Sequence, residues 1–216
     1  MSARENILAR IRRRQGKAAI PDAAERGAVR AHLAAHPINA RPRMDWDPVA
    51  RFRERALGLA STVDEVEEIA AAPFAVARYL EVSGLPRAAV CWPELMALDW
   101  PGAGIHVEAR AAREADLVGI TGAFCAIAET GTLMTVSGPR TPPTVSLLPE
   151  THVAIIPASR IVRGMEEAWR VLRDELKLPP RAVNFISGPS RTADIEQTVT
   201  LGAHGPYRVH IVLIRA

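Results

Sequence analysis

Apolar positions along this chain follow two spacings, and the change from one to the other divides it. Up to about residue 60 the spacing is helical wherever it is regular. Ile7, Leu8 and Ile11 follow Ser2 and Glu5, a serine–glutamate pair spaced to satisfy a helix start reciprocally, and Gly16 supplies a stop. This predicts a short helix with a narrow apolar stripe and an arginine-rich far face, marginal on its own at that length. Residues 17–45, rich in Ala, Arg, His and Pro, keep no clear period and read as an extended, partly helical connector. Asp47 then caps a second helix, with Pro48 in its first turn, running through Phe52 and Leu57 to about Leu59.

Beyond residue 60 short apolar runs take over. Strands are predicted at Ser61–Val66, Arg87–Trp92, Ile105–Ala109, Asp116–Thr121, Thr130–Ser137, Val153–Pro157, Val183–Ser187 and Val209–Leu213. Between them, Pro73 opens a helix carrying Val76, Tyr79 and Leu80 and stopped by Gly84. Pro93–Leu98 reads as a helical turn and Gly122–Ala128 as a short helix. Met165–Leu176 is a helix with Trp169, Leu172 and Leu176 on one face. Strands alternating with helices predict an α/β fold, a mainly parallel sheet with helices on both faces, over residues 46–216. Residues 1–45 form an N-terminal helical arm and connector.

Charge sharpens that division. Residues 1–55 hold thirteen Arg/Lys against six Asp/Glu, whereas residues 56–216 hold fourteen against eighteen, so the first stretch carries +7 and the remainder −4. A basic arm suits nucleic acid, a membrane surface or an acidic protein face. No helix-turn-helix, zinc or aromatic-platform motif accompanies it, which argues against nucleic acid. No apolar run approaches the ~18 residues of a membrane span, and the N-terminus lacks the apolar stretch of a signal peptide, so the cytoplasm is the expected address. Cys91 and Cys125 stand alone among apolar neighbours. Two thiols do not bind an iron–sulfur cluster or a four-thiolate zinc, and no H-x-x-x-H or paired C-x-x-C spacing occurs, so no intrinsic metal is expected.

Three polar clusters sit where strands should end. The first joins Thr121 and Gly122 to Glu129, Thr130, Gly131 and Thr132. A glutamate between apolar segments could be a nucleophile or general base, because an apolar setting raises a carboxyl pKa. It could equally accept backbone N–H bonds at a tight turn to which Gly131 lends unusual dihedrals. The second is Gly188, Pro189, Ser190, Arg191, Thr192 and Asp194, with Glu196 beyond, after the strand ending at Ser187. It reads as a loop opening a helix, where unpaired N–H groups and Arg191 suit a small anion and Ser190 or Thr192 caps. Neither GxGxxG nor GxxxxGK[ST] is present, so dinucleotide and P-loop readings fail on residues. The third, His204 and Gly205 within Leu201–Pro206, offers a histidine able to titrate near neutrality, or a plain lead-in to the last strand. His152 reads as a structural histidine.

Together these segments resemble the lactate-utilisation protein C family and its LUD domain. The stretches that carry the likeness are GITGAFCAIAETGTLMTVSG at 119–138, SLLPETHVAIIPASRIV at 146–162 and FISGPSRTADIEQTVTLGAHGP at 185–206. The resemblance implies an α/β fold similar to ribose-phosphate isomerase and the CoA transferases. It implies a cytoplasmic role in oxidising L-lactate to pyruvate, in which three proteins act together and the two partners carry cysteine-rich iron–sulfur motifs. The expected function is thus a non-redox subunit with no cofactor of its own, binding a small anionic ligand at the three loops, with Glu129 or His204 handling protons. The alternative is a free-standing isomerase or acyl-CoA transferase acting on a phosphorylated or thioester substrate; the glutamate nucleophile of CoA transferases makes Glu129 its candidate by fold-level analogy.

Overall fold

The computed structural model describes residues 2–18, 20–38, 40–192 and 200–215, and the chain divides into two compact units, Met1–Arg43 and Met44–Ala216. The first holds α1 (Ala3–Arg14) and α2 (Ala23–Ala35). Ser2 and Glu5 cap α1 reciprocally. The Asp22 carboxylate accepts the Glu25 N–H at 2.8 Å to start α2, and His36 ends it in the left-handed conformation. The stretch taken for a partly helical connector thus contains thirteen residues of regular helix. Its signal was the cap and not the period, since Val29 and Leu33 are its only large apolar residues.

The second unit runs α3 (Pro48–Gly58), β1 (Thr62–Val66), α4 (Ala72–Val82), β2 (Ala88–Cys91), β3 (His106–Ala109), β4 (Val118–Gly122), β5 (Cys125–Ile127), β6 (Thr132–Val136), α5 (Thr144–Leu147), β7 (Thr151–Pro157), β8 (Ile161–Val162), α6 (Met165–Glu175), β9 (Val183–Ile186), β10 (Arg191–Thr192), β11 (Thr200–Leu201) and β12 (Arg208–Ile214). Six strands make one sheet in the order β1-β12-β7-β4-β2-β3, with every pairing parallel. A second sheet, β8-β5-β6-β9, is antiparallel except where β5 meets β8.

Alternation along the central strands assigns the layers. Val153 and Ile155 of β7, with Val212 and Ile214 of β12, face α4, whose Ala72, Ala75, Val76 and Leu80 recur at helical spacing. Ala154, Ile156, Val209, Ile211 and Leu213 face the other way, onto Phe52 and Ala56 of α3 and onto Ala126, Leu133 and Ile186 of the second sheet. The second sheet turns Cys125, Ile127 and Met134 outward to Ala168 and Leu172 of α6. One face of the main sheet therefore carries α4, and the other carries α3 and a second sheet backed by α6.

Two local expectations change. Gly122–Ala128 is not helical: β4 ends at Gly122 and β5 begins at Cys125. The run Ala123-Phe124-Cys125-Ala126-Ile127-Ala128 is apolar throughout, so its period is ambiguous, and it is settled by pairing with β6 while Ala126 faces one core and Cys125 and Ile127 the other. The loop after Ser187 does not open a helix at Ser190–Thr192; Arg191 pairs with Leu201 and Thr192 with Thr200 in a short antiparallel ladder.

Candidate functional site

The third cluster and most of the second gather at the amino end of the main sheet, beside the last turn of α3. Gly188, at φ 79°, approaches that turn so closely that a Cβ there would lie 2.3 Å from the Leu59 carbonyl oxygen. Gly131, at φ 68°, approaches it from the second sheet, its notional Cβ 2.6 Å from the Ala56 nitrogen. Only glycine meets both demands. Arg191 donates from Nη2 to the Leu59 carbonyl at 3.1 Å and is otherwise exposed, with no carboxylate partner among the described residues. The hydroxyls of Thr130, Thr132 and Ser187 form a chain, 2.7 and then 2.6 Å apart, that leads to Gly188.

Ser190 is the hub of this end. Its N–H donates to the Pro206 carbonyl at 2.9 Å, its carbonyl accepts the Gly202 N–H at 2.9 Å, and its hydroxyl accepts the His204 N–H at 3.4 Å. Gly205 packs against the Ser190 Cβ. Pro189 is partly buried between Gly188 and Ser190. These bonds tie the loop to the lead-in of β12 and explain why it forms a ladder: Ser190, which the sequence offers as a helix cap, holds residues 202–206 instead. The His204 ring is exposed. Asp194 and Glu196 lie outside the described residues.

Three predicted residues stand apart from that gathering. The Thr121 side chain is buried between β4 and β7, its Oγ1 2.8 Å from His152 Nε2. His152 is fully buried with no hydrogen-bond partner at Nδ1, and burial lowers its pKa to about 4. Gly122 opens on the opposite, carboxyl end of the sheet. Glu129, half-buried at the end of β5, donates its N–H to the Arg163 carbonyl at 3.0 Å, and its carboxylate faces Gly164: a Cβ there would lie 3.4 Å from Glu129 Oε2 and 3.5 Å from Glu166 Oε2. Arg191 and His204 thus meet through Ser190, while Glu129 points to other neighbours.

The carboxyl end holds a cleft of about 630 Å³, lined by residues that follow or close five strands. Ile69, Leu95, Ile155, Pro157 and Ile214 give it apolar walls; Glu68, Glu94 and Arg160 give it charge. Arg160 is engaged already, donating from Nε to the Phe124 carbonyl at 2.7 Å and pairing both Nη atoms with Glu175 at 2.6 and 3.1 Å. That pairing holds the Glu175 carboxyl below its ordinary range. Sequence reasoning missed this cleft. Its wall residues, Glu68 and Glu94 among them, lie at or just past strand ends and carry no local signal.

The two thiols belong to different cores, Cys91 under α4 and Cys125 under α6, each 3.6 Å from a methionine sulfur. Burial pushes both up to about 11, so each is a protonated apolar side chain at neutral pH. Among the described residues no group of three His, Cys, Asp or Glu could hold a metal ion, and no helix is long and apolar enough to cross a membrane.

An open, wholly parallel six-stranded sheet backed by a smaller second sheet defines an α/β protein with two loop-lined ends. Residues 94–214, more than half of the chain, match the model of the LUD domain, and the chain belongs to the LUD domain family. It is 46% identical over 101 residues to Lactate utilization protein C of an Exiguobacterium species, covering 45% of this chain and 44% of that one. It is 35% identical over 133 residues to Lactate utilization protein C of Bacillus subtilis, covering 56% and 55%. The matched stretch therefore spans about half the length of these relatives. Among solved structures it shares its fold with a DUF162-family protein from Deinococcus radiodurans, at a TM-score of 0.61 and 22% identity over 77% of this chain and 96% of that one.

Proposed function

We propose that this chain serves cytoplasmic oxidation of L-lactate to pyruvate as a non-redox subunit, binding a small anionic ligand at the amino end of its sheet. The relatives' names support the pathway. Two buried, protonated thiols in separate cores support a member that carries no cluster of its own, leaving electron transfer to cysteine-rich iron–sulfur partners. One observation carries the ligand reading: Arg191 is an exposed guanidinium that donates to one backbone carbonyl and meets no carboxylate among the described residues, beside a chain of hydroxyls. A guanidinium so placed holds a carboxylate or phosphate in bidentate fashion.

The test combines calorimetric titration of lactate, pyruvate, sugar phosphates, nucleotides and CoA esters with growth on lactate. One of these anions should bind, Arg191→Gln should weaken it about tenfold or more, and the deletion strain should fail on lactate. A deletion strain that oxidises lactate at the normal rate would sink the pathway assignment. Anion binding indifferent to Arg191 would sink the site. The alternative of an isomerase or acyl-CoA transferase needs Glu129 to share a hollow with Arg191, and the Glu129 carboxylate turned toward Gly164 and Glu166 favours binding over turnover.

A further inference from the structure

The carboxyl-end cleft lies where the chain's path parts. After β2 the chain's next strand in the main sheet is β3, on the outer side, whereas after β4 it passes through β5 and β6 of the second sheet and rejoins the main sheet at β7, on the opposite side, although β2 and β4 are neighbours. Connections leaving adjacent strands in opposite directions open a crevice at their carboxyl ends, and in open α/β sheets this is where small molecules bind. The cleft occupies that place: Glu94 and Leu95 follow β2, and Gly122 and Ala123 close β4. Its volume of about 630 Å³ is that of a small-molecule site.

Its chemistry is the reverse of that at the amino end. Glu68 and Glu94 have no cationic partner among the described residues, and Arg160, the one cation in the lining, is consumed by Glu175 and the Phe124 carbonyl. The Glu94 carboxylate stands over Gly122, where a Cβ would come within 3.1 Å of its Oε1. The remaining walls are aliphatic. An anion entering would meet two like charges, and a neutral hydrocarbon would leave both carboxylates unanswered.

We infer that this cleft is a second ligand site, selective for a small organic cation: an ammonium group held between Glu68 and Glu94, with a hydrocarbon body against Leu95, Ile155 and Ile214. It is independent of the Arg191 cluster, and neither reading requires the other.

A matched trio of probes tests it, namely hexylamine, hexanol and hexanoate, titrated into the whole protein and followed by amide chemical shifts. Hexylamine should bind best and hexanoate worst, with shifts centred on Gly122, Glu94 and Ile214. Glu68→Gln and Glu94→Gln, both exposed and therefore safe for folding, should each weaken hexylamine about three- to fivefold and narrow its lead over hexanol. Ala123→Trp, which fills the cleft, should abolish binding, while Arg191→Gln should leave it unchanged. Equal binding of the three probes, hexylamine affinity indifferent to both glutamate substitutions, or no binding at millimolar concentration would overturn the inference. If Ala123→Trp does not fold, the glutamate pair decides.

Discussion

At the amino end of the main sheet the connections turn on Gly131 and Gly188 and are tied by hydroxyls and by Ser190; at the carboxyl end they turn through short helical turns edged with glutamate. The same strands feed both ends. The difference comes from which segments supply the loops. The amino end draws on the second sheet and the β10–β11 ladder, where Arg191 meets no carboxylate among the described residues. The carboxyl end draws on the segments after β1, β2 and β7, where Glu68 and Glu94 line the cleft with no cationic partner among the described residues. A parallel sheet keeps such chemistries apart by the length of its strands, so one domain can offer an anion-suited end and a cation-suited end without mutual neutralisation. Rigidity differs as well. Backbone-to-backbone approach fixes the amino end, whereas the carboxyl end is bounded by side chains that can move.

The sharpest way to break the comparison is to add a side chain at the tight end. Gly188→Val would place atoms inside the Leu59 carbonyl's radius and force a β-branched residue to positive φ. It should cost about 3 kcal/mol or more in urea unfolding. Gly122→Ala at the other end meets the movable tip of Glu94 and touches the Trp92 ring at an ordinary 3.8 Å, and it should cost no more than about 0.5 kcal/mol. Comparable losses at the two positions would refute the contrast in rigidity.

Acid should strike the amino half next. His152 and His210 sit near the starts of β7 and β12, buried on opposite faces of the sheet, and burial lowers both to about 4. His210 bonds Thr62 through Nδ1 at 2.8 Å and stacks on Tyr79 at 3.9 Å. Above an unfolded pKa near 6.5 both states leave these rings neutral. Below it the unfolded chain takes up protons that the folded chain refuses, so stability falls with pH until the folded rings titrate near 4. The slope should be on the order of 1 kcal/mol per pH unit for each ring. The depressed carboxyls of Asp116 and Glu175 are lost at lower pH still, which leaves the window from 6.5 to 4.5 to the histidines. Urea midpoints for His210→Phe should show roughly half the wild-type pH dependence across that window. An unchanged dependence would remove His210 as a source.

These contrasts also mark what the sequence could disclose. The parallel sheet was legible because β7 and β12 are apolar runs buried on both faces, and α4 and α6 because their apolar residues keep helical spacing. Gly131 announced unusual backbone and Gly188 a loop, and their shared partner, the last turn of α3, is a tertiary fact that no local pattern contains. The split into two sheets was hidden for a related reason. Ala126 and Cys125 look alike in hydrophobicity, and only packing against α3 on one side and α6 on the other separates them. The carboxyl-end cleft was invisible because its wall residues are ordinary strand ends, made into a cavity by the order in which strands pair.

The smallest expected effects come from ion pairs, and they sharpen the comparison most finely. Arg208 pairs with Glu150 at the amino end at 2.5 Å, both about a third to a half exposed, with Arg208 also 4.9 Å over the Tyr207 ring. Arg160 pairs with Glu175 at the carboxyl end through two contacts, stands 4.9 Å over Phe124 and bonds that residue's carbonyl. Solvent screens both pairs, so Glu150→Gln and Glu175→Gln should each cost under about 1 kcal/mol, the second more because its geometry is bidentate and its arginine is fixed elsewhere. Their consequences for ligands should differ more than their stabilities. Glu175→Gln releases the Arg160 guanidinium beside Glu68 and Glu94, so hexylamine affinity should fall about twofold to fivefold while anion binding at Arg191 holds. Glu150→Gln should change neither. Equal effects of the two substitutions on hexylamine would mean that Arg160 does not set the charge of the cleft.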